Sequence, residues 1–106
     1  MASRALAELK QKEQAFFLGV GYYKPHLPFT APSRYWELYE SEQVPLARIG
    51  DAPEGGSTFM FRSWSEPGSY QDITIEEPYP DSLSRRLKHG YAACISYIDA
   101  QIGKLM

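Results

Sequence analysis

From Asp81 onward, apolar residues recur every third or fourth position: Leu83, Leu87, Tyr91, Cys94, Ile98, Gln101 or Ile102, and Leu105. That spacing predicts an amphipathic helix over residues 81–106, about seven turns at 3.6 residues per turn. Pro80 precedes it, and Asp81 or Ser82 is the expected N-cap. Gly90 falls in its interior, where glycine costs up to about 1 kcal/mol relative to alanine. A glycine kept there predicts close packing against that point. Residues 15–22, Ala15-Phe16-Phe17-Leu18-Gly19-Val20-Gly21-Tyr22, show a different pattern, a short continuous apolar run closed by glycine and then proline. Its length and aromatic content predict a strand buried on both faces, as in a parallel sheet. The first 14 residues are rich in Ala, Leu, Glu, Lys and Gln, which predicts a helix over residues 3–14 with Ser3 as N-cap. Its apolar stripe, Leu6 and Leu9 with Ala2 and Ala5 beside them, is narrow.

The intervening segment, residues 24–80, holds all eight prolines and nine of the fifteen aromatic residues. A short helical turn over residues 35–40 and a short strand over 72–76 are the regular structure it suggests. A compact domain seldom carries roughly 50 residues of such irregular chain, yet disordered segments are poor in aromatic side chains. These residues are therefore expected to pack on something. A helix, a strand and a helix cannot cover both faces of a sheet or give the strand neighbours. The expected architecture is thus an α/β fragment, helix–strand–long loop–helix, whose missing partners are the rest of a larger domain.

Composition narrows the chemistry. The chain has 106 residues, 43% hydrophobic and 23% charged, which suits one small globular unit. A net charge of −2, with no basic run longer than Arg85-Arg86, gives no electrostatic reason to expect nucleic acid or an anionic membrane as partner. No apolar stretch approaches the ~20 residues that span a bilayer, and residues 1–14 contain no signal-peptide apolar region. The single cysteine, Cys94, allows neither an internal disulfide nor a cysteine metal cluster. It lies on the apolar face of the terminal helix and reads as a core residue rather than a nucleophile.

The candidate chemistry follows the apolar run directly, in Gly21-Tyr22-Tyr23-Lys24-Pro25-His26-Leu27-Pro28-Phe29. The carboxyl end of a strand is where open α/β sheets place their ligands. Pro25 and Pro28 fix their own φ and push Lys24 and Leu27 toward extended geometry. In an extended chain residues two apart point the same way, so Lys24 and His26 are expected to project together. An ammonium and an imidazole on a rigid support suit a sulfate, phosphate or carboxylate. Elsewhere the expectations are bland. His89 reads as a solvated helix residue, and Asp99 as a hydrogen-bonded anchor rather than a metal ligand. Glu76 and Glu77 are too isolated for a carboxylate pair. Phe59, Phe61, Trp64 and Tyr70 read as packing residues, with stacking on a sugar as the alternative.

Residues 16–29, Phe16-Phe17-Leu18-Gly19-Val20-Gly21-Tyr22-Tyr23-Lys24-Pro25-His26-Leu27-Pro28-Phe29, resemble a pattern of the type I sulfatases, in their iduronate-2-sulfatase-like branch. The stretch from Pro32 to Tyr39 is compatible with a second pattern of that branch, and the segment from Tyr91 to Leu105 is similar to a helix of the same family. Two separated motifs in the right order cover most of the chain, leaving residues 41–77 unconstrained. The resemblance implies an alkaline-phosphatase-like α/β fold and hydrolysis of sulfate esters, with sulfated sugars as the substrate class. It further implies a formylglycine nucleophile made from the cysteine of a Cys-x-Pro-Ser-Arg motif, beside a calcium ion held by carboxylates. His26 takes the role of the family's active-site histidine, contacting the sulfate or leaving-group oxygen. Lys24 is carried over as a substrate-binding residue.

The chain departs from that pattern where turnover would need it most. No Asp-Asp pair precedes residues 15–22, and no Asp-His-Gly follows the terminal helix. Thr30-Ala31-Pro32-Ser33-Arg34 ends like the formylglycine motif but begins with threonine and stands directly after Lys-Pro-His, so it reads as coincidence. Tyr23 stands where relatives often have histidine, which bears on the substrate more than on the reaction. The expectation is a sulfatase segment, inert alone, that works with the remainder of its domain. Two alternatives stay open: a phosphodiesterase or phosphonate hydrolase of the same superfamily, and a non-catalytic fragment or interaction module.

Overall fold

The computed structural model describes residues 1–51, 53–57, 59, 66–70, 73–74 and 79–106. Three α-helices occur among them: α1 (Ala2–Lys10), α2 (Ser33–Trp36) and α3 (Asp81–Ile102). The 3-10 turns include Ser41–Gln43 and Glu66–Ser69, and there is no strand among the described residues.

The terminal helix forms as the apolar spacing predicts, but it begins and ends differently. Pro80 is its N-cap, with no side-chain capping bond, and Ser84 N–H donates to the Pro80 carbonyl at 2.9 Å. It stops at Ile102, where Gly103 N–H closes on the Asp99 carbonyl and residues 104–105 continue as turns. The first helix starts at Ala2 rather than Ser3. Ser3 therefore caps nothing, and its hydroxyl donates instead to the carbonyl of Lys104 at 3.3 Å, tying α1 to the end of α3. That helix also ends at Lys10, short of Gln14. Beyond it Lys12 N–H closes a turn on Leu9, and Glu13 adopts φ 50°, a left-handed conformation that no continuing α-helix can contain.

Residues 15–22 do not form the expected strand here, nor a helix. A strand exists only through ladder hydrogen bonds to a neighbour, and no described segment lies beside this run as one. All of the run but half-buried Leu18 is exposed, Phe17 by 95% and Phe16 by 42%. Of the strand expected over 72–76, only Ile73 and Thr74 are described, and neither is in a strand. Asp72, Ile75 and Glu76 lie outside the described residues.

The packed part of the molecule is α3 and what lies across it. Its buried stripe is Gly90, Ala93 and Cys94, small residues that let other chain come close. Tyr91, expected on the inner face, is instead nearly half exposed. Over Gly90 sit Phe29 and Trp36: a Cβ built on Gly90 would lie 2.7 Å from Trp36 Cη2 and 2.9 Å from Phe29 Cβ. The close packing predicted at this glycine is present. Phe29 meets Tyr91 edge-on at 5.7 Å, Tyr35 meets Tyr97 at 5.3 Å, and Cys94 Sγ lies 3.7 Å from the Thr30 carbonyl. The turn expected over 35–40 thus forms slightly earlier, as α2 and the turn after it.

His89 is the second correction on this helix. Rather than being solvated, its Nε2 lies 2.8 Å from the Trp36 carbonyl, and its ring packs 4.9 Å from the Trp36 ring. A carbonyl only accepts, so Nε2 carries the hydrogen. Tyr39 Oη and Ser96 Oγ share a hydrogen bond of 2.6 Å. Arg85 donates to the Glu42 and Val44 carbonyls, and Lys88 Nζ to Pro45 at 2.8 Å. One face of α3 therefore pins residues 29–45 along its length.

Little of the chain is as well covered. The hydrophobic residues buried among those described are Leu27, Tyr35, Ala93 and Cys94. The radius of gyration is 19.0 Å, against about 13 Å for a compact chain of this length. The accessible surface is 8753 Å², where a compact monomer of this mass shows roughly 6,000 Å². The excess consists in part of exposed apolar side chains such as Phe17, Leu38 and Ile49.

Two outcomes follow from the packing. Gly90→Ala should lower the melting temperature read by circular dichroism. The helix gains about 1 kcal/mol from alanine, but relieving contacts under 3 Å costs about 1–3 kcal/mol. A rise in melting temperature would show that Phe29 and Trp36 are not seated on Gly90. Cys94, whose thiol burial pushes up from its ordinary value while nearby Lys24 partly opposes, should react with iodoacetamide at mildly alkaline pH only after denaturant is added. Equal alkylation rates with and without denaturant would place the thiol outside the core.

Candidate functional site

The segment after the exposed apolar run is shaped by its two prolines. Lys24–Pro25 and Leu27–Pro28 are both cis peptide bonds. His26 N–H donates to the Tyr23 carbonyl at 3.1 Å, closing a turn, and Thr30 N–H donates to Pro28 at 2.8 Å. The chain here is bent, not extended. The expectation that Lys24 and His26 project side by side from an extended strand is therefore overturned.

Lys24 turns back on its own loop. Its ammonium donates to the His26 carbonyl at 3.3 Å and also to the Pro28 carbonyl, and it stands 5.3 Å from the Tyr23 ring centroid. It acts as a clamp on the carbonyls of the double-proline turn. Leu27 anchors the same turn from below: its side chain is buried and its carbonyl receives two donors. Tyr23 Oη donates to it at 3.1 Å, and His26 Nδ1 lies 2.8 Å away.

That second contact decides what His26 can do. Because the carbonyl can only accept, Nδ1 carries a hydrogen and is occupied. Nε2 is the ring nitrogen left to face outward, on a side chain 55% exposed. The ring stands 5.0 Å from that of Tyr23. Within 3.8 Å of Nε2 lies Oε1 of Glu66, at the start of a 3-10 turn whose Pro67 is buried. Tyr70 closes this end, and its phenol is pushed up from the ordinary value by burial first and then by Glu66 and Tyr23.

Beside the turn is a cavity of about 290 Å³ walled by Leu27, Pro28, Phe29, Thr30, Trp36, Tyr70, Ile73, Leu83, Leu87 and Arg86. A second, of about 300 Å³, lies across Leu27 and Phe29 and is lined by Pro67, Tyr79, Leu87, Lys88 and Tyr91. The structure thus brings His26 together with Tyr23, Glu66 and Tyr70, while Lys24 serves the backbone.

Glu66 was not visible in the sequence as a site residue. Glu66-Pro67-Gly68 signals a turn, but no local pattern tells which distant side chain that turn meets. Of the aromatics expected to pack, Tyr70 is partly buried, whereas Phe59 is 77% exposed. Phe61, Trp64, Glu76 and Glu77 lie outside the described residues. Asp99 is exposed. Among the described residues no three of His, Cys, Asp and Glu are grouped so as to hold a metal ion. The one cysteine stands in no Cys-x-Pro-Ser-Arg motif and is buried in the helix packing. The chain's own described side chains therefore fit neither a calcium ion nor that nucleophile.

No family model matches the chain, and no solved structure matches it. Curated proteins do. Human iduronate 2-sulfatase is 33% identical over 111 aligned positions, covering 99% of this chain and 20% of that protein. A sulfatase of Formosa agariphila is 28% identical over 102 positions, covering 92% of this chain and 19% of its own. A multifunctional alkaline phosphatase superfamily protein of Trinickia caryophylli is 40% identical over 52 positions, 48% of this chain and 10% of that protein. The chain spans about a fifth of the length of the first two relatives. Such relatives point to an α/β fold for the whole, although the described residues here are helical or irregular. With the double-proline turn and α3 both inside the stretch shared with the human enzyme, this chain belongs to the sulfatase family, as a segment similar to its iduronate 2-sulfatase branch.

Proposed function

We propose that this chain is the part of a sulfatase that presents the leaving-group acid, His26, and that it works within a full-length enzyme hydrolysing sulfate esters, with sulfated sugars as the substrate class. The observation that carries this reading is the pair of contacts on the ring: Nδ1 held by the Leu27 carbonyl, Nε2 turned outward. Cleavage of the sulfur–oxygen bond leaves its electron pair on the alcohol oxygen, which then needs a proton or a positive partner. The imidazolium can give the Nε2 proton and revert to the neutral Nδ1–H tautomer, the form that Leu27 stabilises. The double-proline turn, clamped by Lys24, keeps the ring in place before substrate arrives. On this reading Lys24 serves the site by holding that turn.

The family resemblance implies a formylglycine nucleophile and a calcium ion. They would come from sequence outside this chain, so the chain alone is inert. The large exposed surface and the uncovered run at Phe16 and Phe17 support the view that the rest of an α/β domain covers it. There residues 15–22 would gain the neighbours that make them a strand. A second reading, phosphoryl-ester hydrolysis on the same superfamily fold, draws on the 40% identity to the multifunctional Trinickia protein. Turnover of a phosphodiester faster than that of a sulfate ester would select it.

In the full-length protein, His26→Ala should lower kcat on an unactivated alkyl sulfate by about 10²–10⁴-fold. The loss on nitrophenyl sulfate, whose leaving group needs no proton, should be much smaller. Equal losses on the two would make His26 a sulfate contact instead, and a wild-type rate on the alkyl ester would remove it from the mechanism.

A further inference from the structure

Two donors converge on one backbone oxygen beside the candidate acid. Tyr23 Oη donates to the Leu27 carbonyl at 3.1 Å, and His26 Nδ1 lies 2.8 Å from that same oxygen. A carbonyl oxygen has two lone pairs, so these two donors fill it. The Tyr23 ring also stands 5.0 Å from the imidazole, tilted by 36°. Its backbone joins in as well, since His26 N–H closes on the Tyr23 carbonyl at 3.1 Å. The ammonium of Lys24 stands 5.3 Å from the phenol ring centroid and is directed to the His26 and Pro28 carbonyls. Read from sequence, Tyr23 bears on the substrate. In the folded chain its hydroxyl is turned to the backbone that holds the acid.

We infer that Tyr23 is a positioning residue: its phenol fixes the Leu27 carbonyl, and through that carbonyl it holds His26 with Nδ1 engaged and Nε2 turned outward. This rests on the reading of His26 as the leaving-group acid, and it adds the residue that keeps that acid in place. The need for such an anchor shows at the other ring nitrogen. Oε1 of Glu66 lies 3.8 Å from Nε2, beyond hydrogen-bond length, yet its negative charge attracts a proton to that side. Glu66 therefore favours the neutral tautomer that carries its hydrogen on Nε2. In that tautomer the Nδ1 lone pair would face the Leu27 oxygen, an arrangement relieved only if the carbonyl turns away. The Tyr23 hydroxyl opposes that turn, because rotating the carbonyl would break its own bond too. With 55% of the His26 side chain exposed, water also competes for the ring, so a second contact on the acceptor is not redundant. The proposed reaction uses what this preserves. The Nε2 proton passes to the alcohol oxygen, the N–H electron pair stays on Nε2, and the hydrogen left on Nδ1 still finds its acceptor in place.

The test is a double-mutant cycle in the full-length protein, with an unactivated alkyl sulfate as substrate. It compares Tyr23→Phe, which removes only the hydroxyl, with His26→Ala and with the pair. Tyr23→Phe should lower kcat about 3–10-fold when His26 is present and cause no further loss once His26 is alanine. An unchanged kcat in Tyr23→Phe would overturn the assignment. So would the same loss in both backgrounds, since the phenol would then act on the substrate or the fold and not through His26. A second measurement needs no variant and decides the matter even where Tyr23→Phe does not fold. In the wild-type protein at low temperature, the Tyr23 hydroxyl proton should be visible by NMR and show a nuclear Overhauser effect to the His26 Nδ1 proton. Absence of that effect would overturn the shared acceptor. Failure of the sulfatase reading looks different: wild type would leave the alkyl sulfate intact, or His26→Ala would match wild type, and the assignment would fall with it.

Discussion

At Gly90 the backbone of α3 comes so close to Phe29 and Trp36 that no side chain fits between them. Phe29 directly follows the double-proline turn and Trp36 ends α2, so this one contact sets where both stand relative to α3. The His89 bond to the Trp36 carbonyl and the Tyr39–Ser96 hydrogen bond flank it and keep the short helix from rotating. Four residues of helix cannot be stable alone. Here α2 is held by aromatic packing and by polar side chains of α3 that reach its backbone. The candidate site inherits its position from that arrangement, because Leu27, whose carbonyl orients His26, is buried at the same junction.

The part of the chain before the turn has the opposite character. Residues 15–22 are as apolar as a core strand, yet they lie uncovered, and the surface as a whole exceeds what a compact monomer of this mass shows. Apolar surface of this kind ordinarily meets a partner. The chain spans about a fifth of the length of the sulfatases it matches, and the rest of such a domain is the proposed cover for this surface.

What the sequence made legible follows the same division. The heptad-like spacing from Leu83 to Leu105 announced α3 because a helix is specified by its own residues. Gly90 announced a close approach because nothing else accounts for glycine inside a helix. Lys24-Pro25-His26, with the residues around it, pointed to the family. The strand over 15–22 was not realised because strands are made by neighbours. The pairing of Lys24 with His26 failed because a turn, closed by His26 N–H on the Tyr23 carbonyl, bends a chain that the prolines' φ preferences alone would extend. His89 and Glu66 were unreadable for a related reason: each takes its role from a residue about 40 or more positions away. Burial of Tyr35 could likewise not be separated from that of its aromatic neighbours by pattern.

One contact carries the proposed chemistry: the Leu27 carbonyl occupies Nδ1 of His26 and leaves Nε2 turned outward. Nitrogen-15 chemical shifts of the histidine rings in the full-length protein, assigned by loss of the His26 signals in His26→Gln, read this directly. The neutral His26 ring should be the Nδ1–H tautomer, with the unprotonated shift at Nε2. A neutral His26 protonated at Nε2 would contradict the claim, since its Nδ1 lone pair would then face the Leu27 carbonyl and the ring could not sit as described.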